Sequence, residues 1–374
     1  MFSFNVHRLS FIVNNKCNMS CKHCFQHNSY RHDHQLSISD AINFCNFFLK
    51  IKTYDTIEIT LIGGEPTLYT EWLEFKKCIN LLVDNGIKFS TVRLFTNGAV
   101  INTDLIELLQ YMSVYSQSVD IWLTKDLDPE YSDREYNGRS INKQIDRNAS
   151  VYARYGFNVN YQSIFTKSNV PRIKNILNNI YHDKTLNLEF GYPCDPTYDI
   201  DKYDMINLID ASLDFINTHD VDIDFIHRTN MWNKIVTSNY QRMHYPTCDP
   251  IKGELSISPK GYIIPCVKCL DIENMFEKYH IKKLVLNHFL NDEFINKFIA
   301  IDDISDCGSY CKSCVVKEAC VPCRLTLDLV NLNDKKKIYH NSHKCDRVII
   351  FYKLKVKMIQ EYIENGGKNL WLEK

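Results

Sequence analysis

The stretch CNMSCKHCFQHNSYRHDH, residues 17–34, sets three cysteines and four histidines within eighteen positions. Thiolate and imidazole are the donors that zinc, copper and iron–sulfur centres select. A structural zinc asks for four ligands, and Cys21, Cys24, His27 and His32 supply such a set across a very short loop. A [4Fe–4S] cluster ordinarily takes four cysteines. Three closely spaced thiolates, Cys17, Cys21 and Cys24, leave one iron free to bind a substrate or cofactor. The spacing alone permits either metal.

A second field lies toward the other end, where nine of the fifteen cysteines fall between Cys248 and Cys345. Glu254–Ser258 and Tyr262–Ile264 alternate around Pro259-Lys260-Gly261 as a β-hairpin does, bringing Cys248 toward Cys266. Cys269 and Cys307 follow, then the run Cys311-x2-Cys314-x5-Cys320-x2-Cys323, then Cys345. Paired CxxC units are also the pattern of a zinc ribbon. Between the fields stand Cys45, Cys78 and Cys194. Cys45 shares a face with Ile42 and Phe48, and Cys78 lies one turn from Phe75 and Leu82, so both are expected to be small buried hydrophobes.

The chain has 374 residues, 45% hydrophobic and 12% aromatic, with 44 basic against 45 acidic side chains. Such a length suggests one large domain and a smaller one. The charge balance offers nothing to nucleic acid or a membrane surface, and no apolar run approaches the roughly 18 residues of a membrane span. Met1 to Arg8 lack the basic start and apolar stretch of a signal peptide. A cytoplasmic protein is expected, and in a reducing cytosol the cysteines are expected to serve in metal sites or the core rather than in disulfides.

The elements that must position these residues alternate. Strands are expected at Leu9–Val13, Thr56–Ile62, Thr91–Phe95, Val119–Leu123, Asn158–Ile164 and Asn187–Phe190. Ser37 and Asp40 have the spacing of a capping box before a first helix. Trp72, Phe75, Ile79 and Leu82 form a helical face stopped by Gly86. A third helix runs from about Ser140 to Tyr155, closed by Gly156, and a fourth follows Asn169. Strand–helix alternation implies parallel strands with crossover helices. Six units make an α/β fold of the partial (β/α)6, TIM-like barrel kind, in which chemistry gathers at the carboxyl ends of the strands. The unusual residues fall there: the cysteine triplet after the first strand, Gly63-Gly64-Glu65-Pro66 after the second, Thr96-Asn97-Gly98 after the third, and Lys125-Asp126 after the fourth. Cys194 follows the sixth. Glycines at such a strand end let the backbone approach a ligand closely.

CxxxCxxC with His23 before its last cysteine, followed by GGEP and TNG, resembles the radical S-adenosylmethionine (SAM) superfamily. The resemblance implies that Cys17, Cys21 and Cys24 hold a [4Fe–4S] cluster. SAM would be contacted by Gly63, Gly64, Glu65 and Pro66, with Thr96 and Asn97 near the ribose. Asp133-Arg134 followed by Gly138-Arg139-Ser140 resembles a further stretch of that family, although Leu123-Thr124-Lys125-Asp126 replaces the usual Ser-Leu-Asp-Gly. The cysteine order from Cys248 to Cys345 resembles the SPASM extension of such enzymes, with Val321-Pro322 where that extension has three residues including glycines. By that resemblance a first auxiliary [4Fe–4S] cluster would take Cys248, Cys266 and Cys323, with Cys269, Cys307 or an open iron completing it. A second would take Cys311, Cys314, Cys320 and Cys345. The implied organisation is a radical SAM barrel over 1–236, a small SPASM domain with its hairpin over 237–350, and a C-terminal helix over 351–374.

In that family an electron from an external flavodoxin- or ferredoxin-type reductant cleaves SAM, and the resulting 5′-deoxyadenosyl radical abstracts hydrogen from an unactivated carbon. SPASM relatives mostly act on peptides and proteins. The expected activity is maturation of a ribosomally made precursor peptide by a side-chain crosslink, either cyclophane-type carbon–carbon or thioether. The alternative is anaerobic sulfatase maturation to formylglycine, against which Val267 stands where that family typically has an aspartate. Cys17 lies too near the N-terminus to leave room for a preceding leader-binding domain. Asp126, Glu189, Tyr192 and Cys194 are the rim candidates for the base or hydrogen donor.

Overall fold

The structure is a computed structural model and describes residues 5–24, 26, 33–128, 131–134, 136, 140–183, 188–191, 202–219, 253–293 and 295. Its elements run β1 (Arg8–Ile12), α1 (Ile38–Ile51), β2 (Thr56–Ile62), α2 (Trp72–Asp84), β3 (Lys88–Thr96), α3 (Thr103–Ser113), β4 (Val119–Thr124) and α4 (Asn142–Arg154). They continue with β5 (Asn158–Ile164), α5 (Ile173–His182), β6 (Leu188–Gly191), α6 (Lys202–Thr218), β7 (Glu254–Ile257), β8 (Ile263–Ile264) and α7 (Leu286–Leu290). Every expected strand forms, and the fold is α/β with parallel strands joined through helices.

The chain divides into two compact units, one of residues 1–125, 134–160 and 248–302, the other of 126–133, 161–247 and 303–374. In the first, the strands lie in the order β4-β3-β2-β1-β7-β8. β1 through β4 are parallel, and β7 pairs in parallel with β1, so Leu9 faces Ile59 on one side and Leu255 on the other. β7 and β8 form the expected hairpin, turning at Gly261 with φ of 81°. Its first strand is built into the sheet beside β1, a long-range pairing that alternation along the chain does not reveal.

β1 is buried on both faces from Leu9 to Ile12, and its alternate residues point to opposite faces. Leu9 and Phe11 are wholly buried, and Phe11 meets Phe44 of α1 and Phe75 of α2 edge to face, with centroids 5.3 and 5.1 Å away. Burying one such ring contributes about 1.5–3 kcal/mol. The alternate residues make polar cross-strand contacts. Arg8 pairs with Glu58 of β2 at 2.6 Å and Glu254 of β7 at 3.3 Å, and the Ser10 hydroxyl donates to Glu254 at 2.7 Å. These pairs fix the register of three strands.

Ser37 caps α1 by accepting from the Asp40 N–H at 3.1 Å. Gly86 and Gly156, with φ of 82° and 81°, follow α2 and α4 where stops were expected. α3 was not anticipated: Asn102 caps it through the Leu105 N–H at 3.0 Å, and Leu105, Leu108, Leu109 and Met112 are buried along it. Cys45 and Cys78 are buried in α1 and α2, as expected of small apolar residues. In the second unit β5 pairs in parallel with β6 from Tyr161↔Leu188 to Ile164↔Gly191, and Tyr181 of α5 meets Phe215 of α6 edge to face. Among the described residues no helix is long and apolar enough to cross a membrane.

Candidate functional site

Three loops leave the carboxyl ends of β1, β2 and β3, and backbone hydrogen bonds fasten the first two together. The Val13 N–H donates to the Ile62 carbonyl at 2.8 Å, Gly64 to Asn14 at 2.9 Å, and Glu65 to Lys16 at 2.7 Å. The Asn14 side-chain amide donates back to the Glu65 carbonyl at 2.9 Å. The strand pairing thereby continues to within one residue of Cys17. It demands Gly63 and Gly64, because a Cβ there would stand 2.6 Å from the Asn14 carbonyl oxygen and 2.4 Å from that of Lys16. Here the missing side chains let one protein backbone approach another.

Glu65 ties the third loop to the second. Its side chain is wholly buried. Oε1 accepts from the Thr96 hydroxyl at 2.6 Å, the Thr67 hydroxyl at 2.8 Å and the Thr67 N–H at 3.0 Å. Oε2 accepts from the Asn97 N–H at 2.7 Å. Burial raises the Glu65 pKa, and these donors oppose the rise by favouring the carboxylate. Asn97 closes the circle, its side-chain amide donating to Asn18 Oδ1 at 2.7 Å and reaching Cys17 Sγ at 3.7 Å. Trp72 donates to the Pro66 carbonyl at 3.1 Å, and Tyr69 to that of Leu36 at 2.7 Å, steadying the outer side of the GGEP turn.

The cysteine loop offers three sulfurs, each met by N–H donors. Cys17 Sγ accepts from the Met19 N–H at 3.5 Å, Cys24 Sγ from Gln26 at 3.5 Å, and Cys21 Sγ from the Arg134 guanidinium at 3.7 Å. Burial, followed by the nearby Glu65 carboxylate, pushes the Cys17 thiol up to about 12; Met19 acts in the opposite sense, while Cys21 and Cys24 add to the rise. A metal that binds Cys17 must displace this thiol proton. Among the described residues no three Cys, His, Asp or Glu side chains converge as ligands of a single ion do. A four-iron cluster makes a different demand, one sulfur for each of several separated irons. Three neighbouring thiols with N–H groups aimed at their sulfurs fit that demand.

Asp126 is buried, and its Oδ2 accepts from the Ser132 hydroxyl at 2.8 Å and the Asp133 N–H at 2.9 Å, closing the 126–133 turn. Glu189 lies on β6 opposite Gln162. Cys266 and Cys269 are buried and share the first turn of the 3-10 helix Val267–Tyr279, which Cys266 precedes, the Cys269 N–H donating to the Cys266 carbonyl at 2.9 Å. His27, His32, Gly138, Arg139, Tyr192, Cys194, Cys248, Cys307, Cys311, Cys314, Cys320, Cys323, Cys345 and the expected C-terminal helix lie outside the described residues. Sequence reasoning gave no role to Asn14, Asn18 or the Arg134 side chain. Only Arg134 carried a signal, its place in the Asp133-Arg134 pair.

Residues 11–169 match the family model of the Radical SAM superfamily. The chain is 23% identical over 340 residues to the radical SAM cyclopropyl synthase TigE of Paramaledivibacter caminithermalis, covering 83% of this chain and 68% of that protein. Among solved structures, native anSMEcpe with bound AdoMet and Cp18Cys peptide matches with a TM-score of 0.71 at 16% identity, over 96% of this chain and 99% of that one. Streptococcus suis SuiB bound to precursor peptide SuiA matches with a TM-score of 0.58 at 16% identity, over 88% of this chain and 74% of that one. At those identities the structural likeness establishes the fold.

Proposed function

We propose that the chain is a radical SAM enzyme that modifies a ribosomally made precursor peptide by joining side-chain carbons into a ring or crosslink. The observation that carries the reading is the convergence of the Cys17 loop, the GGEP turn and Thr96-Asn97 through Glu65. The superfamily implies SAM and one [4Fe–4S] cluster; when bound, they supply a 5′-deoxyadenosyl radical that takes hydrogen from an unactivated carbon.

Cys17, Cys21 and Cys24 would hold the cluster, displacing their thiol protons. Gly63 to Pro66 would present backbone groups to the amino and carboxylate ends of SAM, and Asn97 would stand near its ribose. Glu65 holds these loops in register from within the core. Cys266 and Cys269 share a buried turn, which favours Cys269 over Cys307 as the completing ligand of a first auxiliary cluster. A second auxiliary cluster would use Cys311, Cys314, Cys320 and Cys345. An external one-electron reductant would serve all three. Asp126, Glu189, Tyr192 and Cys194 remain the candidates for the base or hydrogen donor.

Two relatives support the peptide substrate by what their structures hold, the Cp18Cys peptide and the precursor SuiA. TigE, named a cyclopropyl synthase, supports carbon–carbon ring closure over formylglycine formation, and so does Val267 after Cys266. The test is anaerobic incubation of the reconstituted chain with SAM and candidate precursor peptides, followed by fragmentation mass spectrometry and aldehyde labelling. Loss of two hydrogens without a reactive aldehyde is expected. An aldehyde at a single serine or cysteine would replace this reading with sulfatase maturation.

A further inference from the structure

Arg134 is buried, 8% exposed, and its Nη1 lies 3.7 Å from the sulfur of Cys21. A guanidinium is permanently charged, and burying a cation is costly unless negative charge meets it. The described donors on Cys17 and Cys24 are neutral: the Met19 and Gln26 N–H groups and the Asn97 amide. Arg134 adds a full positive charge at the third sulfur.

We propose that Arg134 is a positioning residue that sets the reduction potential of the SAM-binding cluster by holding its charge against the Cys21 ligand. This rests on the reading that Cys17, Cys21 and Cys24 carry a [4Fe–4S] cluster. Net charge and hydrogen bonds to the sulfurs are among the protein's means of tuning such a centre. Reduction adds one electron, taken from the external reductant, and makes or breaks no covalent bond. The reduced cluster is the more negative form, so a nearby cation stabilises it more than the oxidised form, and poor solvation at the site strengthens the effect. The cluster becomes easier to reduce, as a reaction begun by electron entry requires.

The full chain, reconstituted anaerobically, is titrated by potential with EPR detection before SAM is added. The signal followed is the one missing from a Cys17→Ala/Cys21→Ala/Cys24→Ala variant. At the potential where the parent is half reduced, Arg134→Leu and Arg134→Gln are expected to show a reduced-to-oxidised ratio about tenfold lower, ~59 mV for one electron. Arg134→Lys, which keeps the charge, stays near the parent. Neutral variants that hold their iron and titrate with the parent overturn the proposal. Should Arg134→Leu lose its iron, Arg134→Gln decides; loss of iron from all three variants also overturns it, because Arg134 would then secure the loop instead. A parent chain with no signal that depends on Cys17, Cys21 and Cys24 is a different failure, that of the cluster reading itself.

Discussion

The Thr96 hydroxyl donates to Glu65 Oε1 at 2.6 Å, joining the end of β3 to the turn after β2 inside the core. Replacing Thr96 by Val keeps the shape and removes one of the four donors to a buried carboxylate. About 1–3 kcal/mol of stability should be lost. Glu65→Gln should cost more than Thr96→Val, since an amide nitrogen then faces groups that need an acceptor. Chemical unfolding of both variants checks the order, and equal stabilities would contradict the clamp.

Gly64→Ala should be far more damaging than Gly86→Ala. The added Cβ at 64 meets the Lys16 carbonyl oxygen at 2.4 Å, where backbone lies on both sides, whereas the one at 86 finds nothing within 4 Å. Overpacking of this kind costs about 1–3 kcal/mol or more, and relief requires moving the chain just before Cys17. Iron bound after reconstitution should therefore fall in Gly64→Ala. Gly86→Ala should lose about 1–2 kcal/mol for its positive φ and keep its iron.

Three four-iron clusters would bring about twelve irons per chain. The triple alanine variant at Cys17, Cys21 and Cys24 should then retain about eight and make no 5′-deoxyadenosine. Iron and sulfide analysis beside a product assay reads both. Stoichiometric zinc in the parent would sink the assignment.

Asp292 supplies a pH dependence. Burial acts to raise its carboxyl, but the Lys278 ammonium and Tyr279 hydroxyl, 2.9 and 2.7 Å away, together with the Ile295 N–H, hold it below the usual carboxylate range. A pKa below its unfolded value of about 3.9 stabilises the fold above that pH and ceases to do so as pH falls through the folded value. Lys278 is exposed and Asp292 partly so, and solvent screens the pair, so Asp292→Asn should cost no more than about 0.5 kcal/mol near neutrality. Thermal unfolding of parent and variant should differ at pH 6, and the difference should shrink as pH falls below the usual carboxylate range.

β1 to β5 were legible because each carries β-branched residues between turn residues, and the expected Thr56–Ile62 and Asn158–Ile164 match β2 and β5 to the residue. The Ser37 cap and the stops at Gly86 and Gly156 were legible for the same local reason. α3 was missed although Asn102 and the face of Leu105, Leu108 and Met112 lay in view. Contacts made by tertiary approach left no local trace. Gly63 and Gly64 suggested room for a ligand, while the atoms they spare are those of Asn14 and Lys16. The pairing of β7 with β1 and the Arg134–Cys21 contact depend on segments far apart in the chain, and no period or spacing encodes them.

The place of β1 between β2 and β7 has a consequence in time. Arg8 meets Glu58 across 50 residues of chain and Glu254 across 246. At roughly 5–20 residues per second on the ribosome, the first neighbour is synthesised within about 3–10 s, but the second follows only after about 12–50 s. Through that interval the emerging chain carries an apolar strand with one unsatisfied edge, the kind of surface that chaperones retain and that other nascent chains pair with. The strand that delivers Cys17 thus waits for a neighbour made long after it.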